Sequence, residues 1–148
     1  MSVLFLDSRL SLHNIYNSGT RIVIATAAFV GDIGLQTIAA VGTPNQESVR
    51  VQLWGTIGVS ASTPTIVNIY VVRGNTGTIR FGTVVFNSRI DLSAGTTLLS
   101  FTAGDSPSAN VVANGQIRYT MHVSSTLEKP VTLVGPVSFN GSALARGS

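Results

Sequence analysis

The stretch that decides the fold is Val49–Val59, which reads VRVQLWGTIGV. One set of alternate positions is apolar: Val49, Val51, Leu53, Ile57 and Val59. The set between them is Arg50, Gln52, Trp54, Thr56 and Gly58. A period of two residues predicts a strand with one face in a core and the other face outside it. Trp54 falls on the outer face, and a lone outer Trp in a chain with few charges is typical of a surface covered by another subunit.

Seven further segments have the apolar and β-branched composition of strands, and Gly, Pro and Asn separate them. They are residues 20–29, 35–41, 65–73, 78–87, 97–102, 116–124 and 131–139. Eight antiparallel strands in 148 residues predict an all-β fold, an antiparallel β-sandwich of the eight-stranded jelly-roll type. An immunoglobulin-like sandwich is the alternative, although the chain has no Cys and so lacks the Cys-Trp-Cys pattern of that fold.

Three regions are expected along the chain. Residues 1–18 form an N-terminal arm, residues 19–140 the β-sandwich domain, and residues 141–148, which are small and polar, a flexible tail. The arm has apolar residues without a clean period, and such a segment can add a strand to the sheet edge of a neighbouring subunit. We therefore predict an assembly interface that comprises Leu4, Phe5, Leu6, Leu10, Leu12 and Trp54.

The composition excludes several classes of partner. The chain is 44% hydrophobic but only 10% charged, which argues against a disordered chain. Its nine Lys and Arg residues stand singly, whereas a nucleic-acid groove needs cations clustered with aromatic residues. No apolar run approaches the roughly 18 residues of a membrane-spanning helix. We expect neither a nucleic-acid nor a membrane partner, and the N-terminus shows no recognisable signal peptide.

The sequence predicts no catalytic, metal or cofactor site. Two distant histidines, His13 and His122, are too few ligands for zinc in a chain without Cys. Loops at one end of a sandwich could bring Asp32 and Asp105 together as a glycosidase pair, but acids in turns more often cap the turn. Neither a Gly-x-Ser-x-Gly motif nor a phosphate loop is present. We expect a protein that is not an enzyme.

Residues 49–92 also resemble a known family. The pattern comprises the Val49–Val59 strand, a Thr63-Pro64-Thr65 turn, a strand that ends in Arg73-x-Gly, and the segment Gly82–Arg89. It resembles the small spore-coat and exosporium proteins of endospore-forming Firmicutes. The resemblance implies a jelly roll similar to the trimeric complement and tumour-necrosis-factor type.

These observations predict a structural protein that assembles with itself, as a homotrimer or a filament, in a spore surface layer or an extracellular fibre. Other surface-layer proteins are expected as further partners. A viral or phage coat or decoration protein is the alternative, although a nucleic-acid-packaging coat normally has a basic arm and residues 1–20 contain only Arg9. A carbohydrate-binding module is a third interpretation, but it would need an aromatic platform, for which Trp54 alone is thin evidence.

Overall fold

The computed structural model describes residues 3–14, 21–23, 27–125 and 129–146. These residues form nine strands and a few short helical turns. The strands are β1 (Val3–Asn14), β2 (Arg21–Val23), β3 (Ala28–Gln36), β4 (Val49–Ala61), β5 (Thr65–Arg73), β6 (Thr83–Leu92), β7 (Gly95–Asp105), β8 (Gln116–Ser125) and β9 (Val131–Arg146). Two 3₁₀ helices (Ile38–Ala40 and Pro44–Ser48) precede β4, and a single-turn helix, α1 (Ala109–Val112), precedes β8.

The strands form two antiparallel sheets that pack face to face. The five-stranded sheet has the order β1–β9–β4–β7, and β2 pairs with β9 beyond the end of β1. The four-stranded sheet has the order β3–β8–β5–β6. Most consecutive strands cross from one sheet to the other, so that spatial neighbours are distant in sequence, as in a jelly roll. The predicted antiparallel β-sandwich of the jelly-roll type is confirmed.

The core lies between the two sheets and follows the alternation expected for β4. Leu53 and Ile57 of β4 are buried against Phe139 of β9 and against Tyr119 and Met121 of β8. Each fully buried side chain of this size contributes about 1.5–3 kcal/mol to the free energy of unfolding. Because the core uses only one face of each sheet, both outer faces remain available for contacts with other molecules.

Both chain termini differ from the sequence prediction. β1 lies within the predicted arm, yet it pairs along β9 of the same chain from Val3 opposite Arg146 to Asn14 opposite Val137. β9 continues to Arg146, so residues 141–146 of the predicted flexible tail belong to a central strand. Its small residues face the core: a Cβ on Gly141 would lie 2.6 Å from Ile33 Cδ1. Small side chains, which suggested a frayed tail, are instead needed where the two sheets approach closely.

Several predicted strands also have different bounds. The predicted strand 20–29 corresponds to two elements, β2 and the start of β3, and β3 continues to Gln36. The predicted strand 35–41 is wrong beyond Gln36, because the buried Thr37 donates its hydroxyl to the Val112 carbonyl at 2.9 Å and the chain turns into a 3₁₀ helix. The predicted strand 78–87 starts late, at Thr83, because residues 74–82 form a folded loop in which the N–H of Gly82 bonds to the carbonyl of Thr78.

Polar side chains connect the two sheets at their ends. Arg73 of β5 holds both oxygens of Asp105 on β7, at 2.8 and 2.7 Å. At the β1 edge, a carboxylate oxygen of Asp7 accepts a hydrogen bond of 2.8 Å from the backbone N–H of Gln36 on β3. These contacts fix the two sheets relative to each other and so hold each outer face in shape.

Candidate functional site

The outer face of the five-stranded sheet brings together residues from four segments of the chain. The antiparallel register places Leu10 of β1, Asn140 of β9, Trp54 of β4 and Thr102 of β7 in one row across the sheet. Position 10 and position 54 are far apart in sequence, so this row exists only because β9 pairs with both β1 and β4. The fold therefore joins Leu10 of the predicted arm and Trp54 on a single surface.

Large apolar side chains are exposed along this surface. Leu10 is 56% exposed, Leu98 is 60% exposed and Trp54 is 39% exposed. We call the surface the apolar face and define it by its exposed apolar residues, which are Val3, Phe5, Leu10, Leu12, Trp54 and Leu98. Polar residues such as Asn140 lie between some of these side chains, but several large exposed apolar residues on one sheet face commonly mark a contact with another molecule.

The structure divides the predicted interface residues into two groups. Phe5, Leu10, Leu12 and Trp54 lie on the apolar face. Leu6 is instead partly buried and packs against the core. Leu4 pairs with Ala145, whose side chain faces the core, so its register position is on the inner side of the sheet, where it is 39% exposed. The reason is a register irregularity between Phe5 and Asp7, which moves this part of β1 out of simple alternation.

Two members of the apolar face were missed in the sequence. Leu98 is adjacent to Leu99, and neighbouring residues in a strand must point to opposite sides of the sheet. Leu99 is in the core, so Leu98 has to point outward. Val3 lies in the first described strand and pairs with Arg146, a register that no local pattern reveals.

Some polar groups on the apolar face bond to one another. The hydroxyls of Thr56 and Ser138 are 2.8 Å apart, and Ser142 donates to the hydroxyl of Ser8 at 3.2 Å. Among the described side chains of this face, the charged ones are Arg50 and Arg146, both at one end of it. A partner that covers this face would therefore have few charged groups to desolvate.

Two shallow hollows lie on the apolar face. One, of about 540 Å³, runs along β4 and β7 beside Trp54 and Thr102. The other, of about 500 Å³, is at the arginine end and is lined by Val3, Leu144 and the two arginines. The face therefore has both projecting side chains and hollows, which can interlock with those of a partner.

The outer face of the four-stranded sheet has a different character. Arg118 of β8 forms a two-pronged ion pair with Asp32 of β3, each prong 2.9 Å long. Its third nitrogen donates to the carbonyl of Asn75, in the β5–β6 loop that folds back over this end of the sheet. The loop residue Gly82 packs on the side chain of Val72. One end of this face is therefore closed by the chain itself.

His122 lies in the middle of the same face. It is 4% exposed, its Nε2 is 2.9 Å from the hydroxyl of Thr120, and the ring of Phe29 meets it edge-on at 5.4 Å. Burial lowers the pKa of the His122 imidazole below its ordinary value, and the nearby Arg118 charge adds to this effect. The imidazole is therefore neutral near pH 7.

The acids considered as a catalytic pair have separate cationic partners. Asp32 is bound by Arg118, whereas Asp105 is bound by Arg73 and also accepts a hydrogen bond of 2.7 Å from the hydroxyl of Tyr119. In the described parts of the chain, no group of three His, Asp or Glu side chains is placed to hold a metal ion. Within the same ranges, no helix combines the length and the apolar character needed to cross a membrane.

Comparison with known proteins supports the fold. No protein-family model matches the chain, and no curated protein sequence matches it. Among solved structures, the chain is similar to Eiger TNF from S. frugiperda, with a TM-score of 0.53 and 13% identity over 98% of this chain and 94% of that one. It is also similar to dimeric latent PorU from Porphyromonas gingivalis, with a TM-score of 0.56 and 8% identity over 99% of this chain.

A viral-particle protein of IBDV has a TM-score of 0.47 and 11% identity over 96% of this chain. The chain spans only 36% of that protein and 13% of PorU. At these identities the comparisons concern the fold alone. The predicted likeness to jelly rolls of the tumour-necrosis-factor type is thereby confirmed at the level of the fold.

Proposed function

We propose that this protein is a structural jelly roll without catalytic activity, which assembles with itself through the apolar face. The observation that carries the proposal is the row from Leu10 to Trp54, which the pairing of β1, β9 and β4 places on one surface. Burial of such a surface stabilises an association by about 25 cal/mol for each Å² of apolar area removed from water.

The partner that fits the apolar face best is a second copy of the same chain. Arg50 lies near the start of β4, and Leu98 pairs with Gly58 near its end. These rows are eight residues apart along β4, which is roughly 26 Å. In a two-fold contact with antiparallel strands, the arginines of one copy would meet the leucine end of the other. Charge repulsion is then avoided, and the projecting leucines can enter the hollow at the opposite end.

The polar chemistry of the chain supports a structural role over a catalytic one. Asp32 and Asp105, the acids that could have formed a pair, are each bound by a different arginine. The two histidines are on different sheets, His13 in β1 and His122 in β8. A two-fold contact closes at two copies. We therefore assign the pair, as a building unit, to a spore surface layer or an extracellular fibre on the strength of the sequence resemblance in residues 49–92.

The proposal is tested by sedimentation velocity at protein concentrations of about 1 to 100 µM, a range that brackets the dissociation constants of modest interfaces. Negative-stain electron microscopy of the full chain is the second measurement. We expect association of the natural protein. Trp54→Ala and Leu98→Ser should each weaken it at least about tenfold, because truncation of a central interface residue commonly has an effect of this size.

The matched control is Ile38→Ser, which removes an apolar side chain that is 67% exposed, against 60% for Leu98, from a 3₁₀ helix outside the apolar face. Its association should equal that of the natural protein. The proposal is wrong if the natural protein stays monomeric over this range, or if Ile38→Ser weakens association as much as Trp54→Ala does.

A further inference from the structure

The outer face of the four-stranded sheet has a recess that the assembly does not use. Its floor is formed by the central strands β5 and β8, and its walls by the edge strands β3 and β6. The register places Phe29, His122 and Tyr70 in one row, and Ser124, Asn68 and Arg89 in the next. We call these six residues the polar recess.

Most of the central residues of the polar recess are buried, whereas residues on its two edge strands are exposed. Asn68 is 9% exposed and Ser124 is 5% exposed, although both point away from the core. Phe29 on the wall is 38% exposed, and Arg89 on the opposite wall is exposed. The floor is therefore largely sheltered from solvent, while these residues of the two edge strands remain exposed.

The floor carries hydrogen-bonding groups that the protein itself does not use. Within the described ranges, neither the amide of Asn68 nor the hydroxyl of Ser124 has a hydrogen-bond partner in the protein. The same holds for the Tyr70 hydroxyl and the Arg89 guanidinium. Since no described side-chain polar atom is both buried and without a partner, these groups still reach solvent. Polar groups that bond to water instead of to the protein can bind a ligand that displaces this water and reproduces its hydrogen bonds.

From this arrangement we infer that the polar recess binds a neutral saccharide. The amide of Asn68 and the hydroxyls of Ser124 and Tyr70 each donate and accept, which suits a ligand whose hydroxyls do the same. The ring of Tyr70, and the part of the Phe29 ring that Arg118 and His122 leave exposed, offer apolar surface for the C–H face of a sugar ring. A few convergent polar groups beside aromatic walls are typical of small-molecule sites.

The same geometry argues against two other ligands. A phosphate chain needs several free cations, whereas Arg118 is already paired with Asp32, which leaves Arg89 as the unpaired cation among the recess residues. A peptide that extends a sheet needs a free strand edge. β5 and β8, which form the floor, are hydrogen-bonded on both sides.

The test is surface plasmon resonance with the full chain immobilised, so that self-association does not affect the signal. The analytes are soluble neutral polysaccharides: hydroxyethyl cellulose, xylan, galactomannan and glycogen. An RNA homopolymer is the anionic analyte. We expect binding of at least one polysaccharide, and Asn68→Ala and Tyr70→Ala should each weaken that binding about tenfold or more.

The matched control is Gln52→Ala, which changes an exposed polar residue on the opposite outer face. This variant should bind the polysaccharide as tightly as the natural protein does. Circular dichroism and thermal melting establish that each variant is folded. The inference is overturned if none of the four polysaccharides binds, or if both recess variants bind as well as the control. Tighter binding of RNA than of any polysaccharide would also overturn it, and would identify an anion site.

Discussion

Tyr119 and Asp105 meet between the two sheets, where the Tyr119 hydroxyl donates a hydrogen bond of 2.7 Å to Asp105 Oδ2. Tyr119 is fully buried in β8, and Asp105 is the last residue of β7 in the other sheet. Arg73 of β5 completes the cluster with two bonds to the same carboxylate. Three strands from two sheets are thus connected by one partly buried polar cluster.

Tyr119→Phe should lower the free energy of unfolding by about 1–2 kcal/mol at pH 7, because a charged acceptor loses one buried donor while Arg73 still pairs with it. The measurement is urea denaturation followed by circular dichroism. Tyr70→Phe, which changes a half-buried tyrosine without a described hydrogen bond, is the control and should be close to neutral. A neutral Tyr119→Phe would show that this hydrogen bond adds nothing to stability.

The same pair predicts a response to alkaline pH. Burial, and then the Asp105 carboxylate, raise the pKa of the Tyr119 hydroxyl well above its ordinary value of 10.0. The folded protein therefore keeps the neutral form when the unfolded chain begins to ionise. Its contribution to stability is complete below pH 10 and is lost as the pH rises above this value. The difference in stability between the natural protein and Tyr119→Phe should accordingly shrink above pH 10, and a constant difference would contradict the argument.

Asp7 predicts a response at the acid end. Burial acts to raise the pKa of the Asp7 carboxyl, but hydrogen bonds from the Gln36 and Ser8 N–H groups and from Arg9 outweigh it, and the pKa lies below its ordinary value. A lowered pKa contributes stability above the unfolded value near 3.8, which is lost as the pH falls through the folded value. Asp7→Asn should therefore cost about 1 kcal/mol at pH 7 and close to nothing in strong acid.

Hydrogen exchange localises the effect of Asp7→Asn. The amide of Gln36 donates to Asp7, so its protection should fall at pH 7 in the variant. Asp91→Asn, an exposed residue of β6, is the control and should leave this amide unchanged. Unchanged protection of Gln36 in Asp7→Asn would rule out a link between β1 and β3 through this carboxylate.

Gly58 predicts a large effect from a single methyl group. It faces the irregular part of β9, and a Cβ at this position would overlap the carbonyl oxygen of Gly135, which belongs to the backbone and cannot rotate away. Gly58→Ala should lower the free energy of unfolding by about 3 kcal/mol or more. In the control Gly104→Ala, the new Cβ meets its nearest neighbour, the Val51 carbonyl oxygen, at an ordinary 3.8 Å, and little change is expected. Equal midpoints for the two variants in thermal melting would contradict this account.

The absence of Cys allows the pairing of β1 to be tested by a disulfide. Ser8 and Ser142 face each other across β1 and β9, with their hydroxyl oxygens 3.2 Å apart. Ser8→Cys combined with Ser142→Cys should form a bond on oxidation, because directly opposite strand residues have suitable Cα spacing. Since both strands belong to one chain here, non-reducing electrophoresis should show a compact monomer. A ladder of covalent oligomers would instead mean that β1 exchanges between subunits, the role predicted for the arm from the sequence.

Local patterns were sufficient for part of this structure. The alternation in Val49–Val59 predicted which side of β4 is buried and placed Trp54 outside, because it depends only on the two-residue period of a strand. The relation between Leu10 and Trp54 could not be predicted, since it depends on the register of both strands with β9. The place of Gly141 in a central strand could not be predicted for a related reason. Ile33 and Leu53 leave no room for a side chain at this position, and no local pattern places these two residues beside it.

The polar recess was also beyond the reach of the sequence. The alternation in β8 places Thr120 and His122 on its polar side, which suggests solvent-exposed residues. In the structure both are buried, Thr120 at 0% and His122 at 4% exposure. Residues from other strands, such as Phe29, shelter them. Exposure on an outer face is therefore set by neighbouring strands and loops as much as by the strand itself.

The apolar face and the polar recess lie on opposite sides of one sandwich, and this has a consequence for valency. Two chains joined through their apolar faces would carry two recesses that open in opposite directions. Such a pair could hold two polysaccharide strands at once and cross-link them. A variant locked as a monomer would still bind a saccharide, but it would lose the ability to bridge.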